Sequence, residues 1–219
     1  MYDTYQQKIE ECDKKVEECM LAFETKADPD DEQAKLSKSK GRGGNEPHFD
    51  LKKQLYRVTG VDLTAIDGIQ SHVAETIISE LGCDVSAFPT EKHFSSWLGL
   101  CPHNCITGGK IRSRKTRKVQ NRIADALRLA AQCLHSSKSA LGAYFRRVKG
   151  RAGAPKAITA TAHKLACLVY RMLRYGMEYV DQGQEAYEKQ YQERVFKNLQ
   201  RSARAQGYVL VKATTGEVS

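Results

Sequence analysis

Apolar side chains at Tyr2, Tyr5, Ile9, Cys12, Val16, Cys19 and Phe23 alternate at spacings of three and four, with charged residues between them. This heptad seam predicts an N-terminal coiled-coil helix of about 25 residues that needs a partner helix. Cys12 and Cys19 lie in the seam, where a small apolar side chain suffices. No capping residue precedes the helix, so its beginning reads as cut. From Ala27 to Pro47 the chain is polar, glycine-bearing and free of aromatics, the composition of a flexible linker.

Helical spacing returns at Asp50–Val58, with Leu51, Leu55 and Val58 on one side. A short helical turn then leads to Asp67-Gly68. The helix that follows carries Ile69, Val73, Ile77 and Leu81 on one face and stops at Gly82. Pro89-Thr90-Glu91 opens a helix through Trp97, with Thr90 as N-cap. Residues 99–116 have no period and contain three glycines and a proline, so they read as a loop or small hairpin.

Four further helices are expected. The first spans Lys118–Ser136 on Val119, Ile123, Leu127, Ala130 and Leu134, and the second spans Ser139–Lys149. The third, Pro155–Val180, has Pro155 in its first turn and a stripe of Ile158, Leu165, Leu168, Val169, Met172 and Leu173. The last runs from Glu185 to Gln206 on Tyr187, Tyr191, Val195 and Leu199, and Tyr208–Lys212 suits a short strand. The class is an all-α helical bundle. Its expected parts are a coiled-coil helix (1–26), a linker (27–47), a helical domain (48–182) and a C-terminal helix and tail (183–219).

Charge sharpens this picture. Residues 92–177 hold eighteen Lys or Arg and one acid, Asp125, a net charge of +17. Residues 1–91 are net −8 and residues 178–219 are neutral. A basic middle of this density calls for a polyanion, and nucleic acid is the default. No run of 18 apolar residues exists, so the chain reads as a non-membrane protein, and the start lacks the pattern of a secretory signal. The seven scattered cysteines then read as reduced thiols of a cytoplasmic protein.

Four features carry candidate chemistry. The turn at Asp67-Gly68 followed by Ile69 resembles a helix-hairpin-helix, in which backbone N–H groups beside Gly68 hold a phosphate. An ordinary helical hairpin is the alternative, and Asp67 beside the turn favours it. The second feature is Thr107–Arg122, where seven cations fall in the thirteen positions from Lys110 to Arg122 with no acid. Lys110, Arg112, Arg114, Lys115, Arg117, Lys118 and Arg122 form a nucleic-acid surface, which Arg128, Arg146, Arg147 and Lys149 extend. The third is Cys101-Pro-His103-Asn-Cys105, which has zinc-like spacing but no good second ligand pair, so no metal is expected. The fourth is the hydroxyl pair Thr107, followed by Gly108, and Ser113 between two arginines. Either hydroxyl can face a phosphodiester as a nucleophile, but the residues alone favour a phosphate-contacting hydroxyl or a turn residue.

The run from Asp67 through Gly108-Gly109-Lys110, then RKTRKVQNRIADALRLAAQ and SALGAYFRRVKGRAGAPKAITATAHKLACLVYRML, resembles the second domain of the insertion-sequence 110 / 1111 group of transposases. The Tyr-rich flanks YDTYQQKIEECD and EAYEKQYQERVFKNL also look like segments of one subgroup. The resemblance implies DNA transposition and recombination, in some members guided by an element-encoded RNA. It also implies a RuvC-like first domain with metal-binding acids, a coiled-coil spacer, and a DNA-attacking serine in a Ser-Gly pair. That pair falls here on Thr107-Gly108, which makes Thr107 the candidate nucleophile, with an added methyl group that hinders in-line attack. A RuvC-like domain does not precede the spacer-like helix, so a truncated reading frame is expected. No cofactor is expected in this chain, and Mg²⁺ only together with the RuvC-like domain. The partners implied are DNA, a guide RNA, and a second copy or an intact transposase, in the bacterial nucleoid. A non-catalytic binding module or dimerising regulator is the rival reading.

Overall fold

The computed structural model describes residues 1–30, 36, 47–113 and 115–211. Among these the structure is mostly helical, as the periodicity predicts. The helices are α1 (Tyr2–Leu21), α2 (Leu51–Thr59), α3 (Ser71–Leu81), α4 (Glu91–Trp97), α5 (Arg122–Cys133), α6 (Ala140–Ala152), α7 (Ala154–Tyr175) and α8 (Gly183–Ala205). Between α4 and α5 lies an antiparallel hairpin of β1 (Cys105–Thr107) and β2 (Lys110–Ser113). Short 3₁₀ turns occupy Leu63–Ala65 and Leu134–Ser136.

Local chemistry sets half of the helix starts. Asp50, Thr90, Asn121 and Ser139 each accept a hydrogen bond from the backbone N–H three residues on. Each cap satisfies one of the N–H groups that the first helical turn leaves open. Asn121 also explains a difference from the periodicity: the helix expected from Lys118 begins at Arg122. Val119 fits the apolar period but packs instead on Gly99, where an added Cβ would lie 2.8 Å from Val119 Cγ2. The other end of that helix also tightens, from α-helix to 3₁₀ turn at Leu134. α7 stops at Tyr175, short of the expected Val180, because Gly176 turns the chain with φ +62° and donates its N–H to Met172 O.

The core sits around α7, which packs against α4, α5 and α6. Its buried face carries Leu165, Val169 and Met172 of the expected stripe, together with Ala157, Thr161, Ala162, Ala166 and Tyr170. The small residues allow close approach of the neighbouring helices, so the buried stripe is wider than hydropathy alone suggests. Leu168 and Leu173 are half-buried at its margin. Tyr170 is 1% exposed, and its hydroxyl donates to Phe88 O at 2.7 Å. On that side Phe88 meets Phe94 edge to face, while Trp97 is tilted against Phe88 and stacked on Phe94. α5 carries the core to α3, and α2 packs on α3.

α1 departs most from the seam. Met20, a residue outside the seam, is its one buried position, whereas Tyr2, Tyr5, Ile9 and Phe23 are exposed, as are Cys12 and Cys19. Its C-terminal carbonyls are held by Arg57 of α2, which donates to Met20 O at 2.6 Å and Phe23 O at 3.3 Å. A guanidinium at a helix C-terminus satisfies orphan carbonyls and opposes the helix dipole. Most of the expected linker, and Lys212 of the expected strand, lie outside the described residues; Tyr208–Val211 form no strand.

Candidate nucleic-acid interface

The loop at 99–116 is a two-stranded arm. Ile106 pairs with Ile111 and Thr107 with Lys110, so Gly108-Gly109 form a two-residue turn. Both glycines have positive φ, +56° and +74°, the geometry of the hairpin turn that follows the natural twist of two strands. Only glycine adopts two such conformations in succession without strain. A bulge between Cys105 and Ile106 leaves Arg112 as the extra residue of the longer strand. A bridge between Pro102 and Thr116 and a hydrogen bond from His103 N–H to Lys115 O (2.9 Å) continue the arm toward the bundle. Most of the hairpin is exposed; Ser113 is half-buried, its Oγ accepting from Lys115 N–H at 3.3 Å.

Cations line this arm and the strap after it. Lys110, Arg112, Lys115 and Lys118 are exposed, and none has a carboxylate partner among the described residues. No acid occurs between Lys92 and Asp125. Arg117 is exposed but anchored, donating to Ser96 O at 2.9 Å and so pinning the strap to α4. Because α5 begins only at Arg122, the other cations escape the unfavourable dipole of a helix N-terminus, which a start at Lys118 would impose. Arg114 lies outside the described residues.

The remaining predicted cations are spread over different roles. Arg122 pairs with Glu80 of α3 at 2.9 Å, and Arg128 with Asp125 at 2.7 Å. Arg146 is half-buried and donates to His135 O, Ser137 O and Gln184 Oε1 at 3.2, 2.6 and 2.7 Å, fastening α8 to the turn before α6. Arg147 stacks over Tyr191 at 3.4 Å and near Tyr187 at 5.4 Å. Both arginines are therefore engaged inside the fold. Lys149 is exposed on the last turn of α6.

Gly68 is a packing residue. Its φ is +90°, and an added Cβ would lie 3.0 Å from Ala130 O and 3.1 Å from Leu134 Cγ. Asp67 turns inward, accepting from Ser137 Oγ at 3.0 Å. The arm before Gly68 is a three-residue 3₁₀ turn rather than a full helix. α3 begins at Ser71 without a side-chain cap from Gln70.

Thr107 is exposed at the end of β1 beside the turn, directly across from Lys110. The arm brings it to cations but to no carboxylate, since residues 99–121 contain none. Among the described residues no three His, Cys, Asp or Glu side chains gather as a metal would need. Their donor set does not fit the Mg²⁺ centre that the resemblance implies. Cys101 is half-buried with its Sγ 3.3 Å from Ser95 Oγ, whereas His103 and Cys105 are exposed. No helix among the described residues is long and apolar enough to cross a membrane.

Periodicity puts Tyr187 and Tyr191 on the apolar stripe of α8; Tyr187 instead lines a cleft with Lys164 and Arg194, and Tyr191 lies under Arg147. The signal in the sequence was Tyr187, Tyr191 and Arg194 at helical spacing, one face joining aromatic rings to a cation. Comparison with curated proteins finds no match, and comparison with solved structures finds none. Residues 60–146 match the model of the transposase IS116/IS110/IS902 family. The matched stretch runs from the end of α2 to the middle of α6 and contains the whole basic arm. This likeness of residues 60–146 to the IS116/IS110/IS902 family of transposases points to a role in DNA transposition.

Proposed function

We propose that this chain supplies the DNA-binding and strand-transfer domain of an insertion-sequence transposase. The observation that carries the reading is the arm: an exposed ribbon with Lys110, Arg112 and Lys115 free of acids and Thr107 at its tip. The cations would lie along the phosphate backbone, where each contact releases counterions. Attack by Thr107 would form an Oγ1–P bond and free a sugar hydroxyl, the hydroxyl proton passing to the leaving oxygen. Guanidinium and ammonium groups around the phosphorus would stabilise the added charge. The arm offers no carboxylate to activate the hydroxyl, so the acids and Mg²⁺ would come from a RuvC-like domain outside these residues.

The test is to mix the chain with element-end DNA, with and without an intact relative, and to follow strand transfer and detergent-stable protein–DNA adducts. An adduct that disappears in Thr107→Ala supports the role. Absence of any adduct, with unchanged complementation by Thr107→Ala, sinks it.

The exposed seam of α1, with Tyr2 at 75% and Tyr5 at 66%, favours a second reading. In it the chain pairs with a second copy or an intact transposase through α1 and regulates it without chemistry. Nucleic-acid binding without an adduct, together with a dimer lost on deleting residues 1–26, supports that reading. Equal affinity for RNA in the same binding series would assign the arm to a guide rather than to the target DNA.

A further inference from the structure

Between α6, α7 and α8 the structure holds a cleft of about 740 Å³, away from the basic arm in sequence and lined by Tyr144, Lys164, Tyr187 and Arg194. Its volume lies within the range of small-molecule sites. At one end, aromatic rings and cations alternate. The Tyr144 and Tyr187 rings meet edge to face at 6.4 Å. Lys164 Nζ sits 4.0 Å from the Tyr144 centroid, and Arg147 lies over Tyr187 and Tyr191.

The charge of this end is uncompensated. Among the described residues Lys164, Arg147 and Arg194 have no carboxylate partner. Partial burial first, and then the Arg194 charge, hold the Lys164 ammonium below its usual pKa. Three acids line the rest of the cleft. Glu91 is taken by Arg171 through paired hydrogen bonds, and Asp181 accepts from Ala140 N–H and the Tyr179 hydroxyl. Glu178 belongs to the same strap as Asp181.

An anion placed between Lys164 and Arg194 would relieve their repulsion. A flat ring beside it would find the Tyr144 and Tyr187 rings. A phosphate with a base beside it is one nucleotide of an unpaired strand, since in a duplex the base faces are already stacked. We infer that the α6–α7–α8 cleft is a second nucleic-acid site, which takes an unpaired nucleotide with its phosphate on Lys164 and Arg194 and its base against Tyr144 and Tyr187. The site lies largely outside residues 60–146 and uses none of the residues of the basic arm.

Fluorescence anisotropy on the full chain tests this with three probes: a 15-nucleotide oligo-dT, a 15-nucleotide oligo-rU and a mixed-sequence 20-bp DNA duplex. Arg194→Gln and Lys164→Gln are expected to weaken the single strands at least fivefold and to leave the duplex within twofold. Photocrosslinking of iodouracil-substituted oligo-dT should map to peptides containing Tyr144 or Tyr187. Parent-like single-strand affinity in both variants, crosslinks confined to residues 99–121, or no single-strand binding at 50 mM salt would each overturn the site. Loss of duplex binding alone would strike the arm and leave this cleft standing. Preference for dT over rU, or the reverse, identifies which strand the site serves.

Discussion

Gly142 shows how a single residue fixes a packing distance. A Cβ there would lie 2.2 Å from Ser137 O, so the first turn of α6 presses against the turn before it. Gly142→Ala is expected to destabilise the fold by about 1–3 kcal/mol, read as a lower midpoint in urea. Cys167 makes a second residue-scale case, because burial pushes its thiol up to about 11. At pH 8 it stays protonated, so iodoacetamide should label exposed Cys12, Cys19, Cys105 and Cys133 in the folded chain and reach Cys167 only after unfolding. Glu91 gives the opposite sign. Its hydrogen bonds to Arg171 hold its carboxyl below the ordinary value. The stability it adds is complete above the unfolded carboxylate value and is lost as pH falls through the lower folded one. Glu91→Gln should therefore cost about 0.5–1 kcal/mol at pH 7, allowing for solvent screening of this half-exposed pair. The gap should close toward pH 3, as measured by thermal melts across that range.

Among the elements, α8 depends on a small set of side chains. It packs on α6, and Arg146 is its main polar fastening. Arg146→Ala leaves the half-buried Ser137 carbonyl, the exposed His135 carbonyl and Gln184 without their donor, at a cost of about 1–2 kcal/mol. Trypsin should then cut between residues 182 and 194 faster than in the parent chain, while the α3–α5–α7 core stays protected. The sequence made the existence of this helix plain, since its apolar spacing is regular. It could not show that Tyr187 and Tyr191 are half-buried against cations while Val195 and Leu199 stay exposed. Periodicity identifies a face and is silent on what covers it. α1 teaches the same lesson, because its seam predicted a partner and the chain itself buries only Met20. The hairpin was the reverse case. Gly108-Gly109 allowed a loop or a hairpin, and only the pairing of Ile106 with Ile111 decided between them.

At the scale of the molecule, the polarised charge predicts steep salt dependence. For a DNA duplex, log K should fall linearly with log salt, and Lys110→Gln should lower the slope by about one. A slope unchanged in Lys110→Gln would remove that residue from the interface.

The sequence by itself determined the all-α class, the caps at Thr90 and Gly82, the basic middle and the likeness to a transposase domain. Each depends on local propensity, composition or an ordered string of residues, and none needs a distant partner. Tertiary structure alone decided which cations are held by partners within the fold. Seven cations between Lys110 and Arg122 look equivalent in sequence, yet Arg117 is pinned to Ser96 and Arg122 to Glu80. Arg146 and Arg147 are drawn into holding α8. Whether a charge meets water, a carbonyl or an aromatic ring depends on residues tens of positions away, and only the folded chain brings those together.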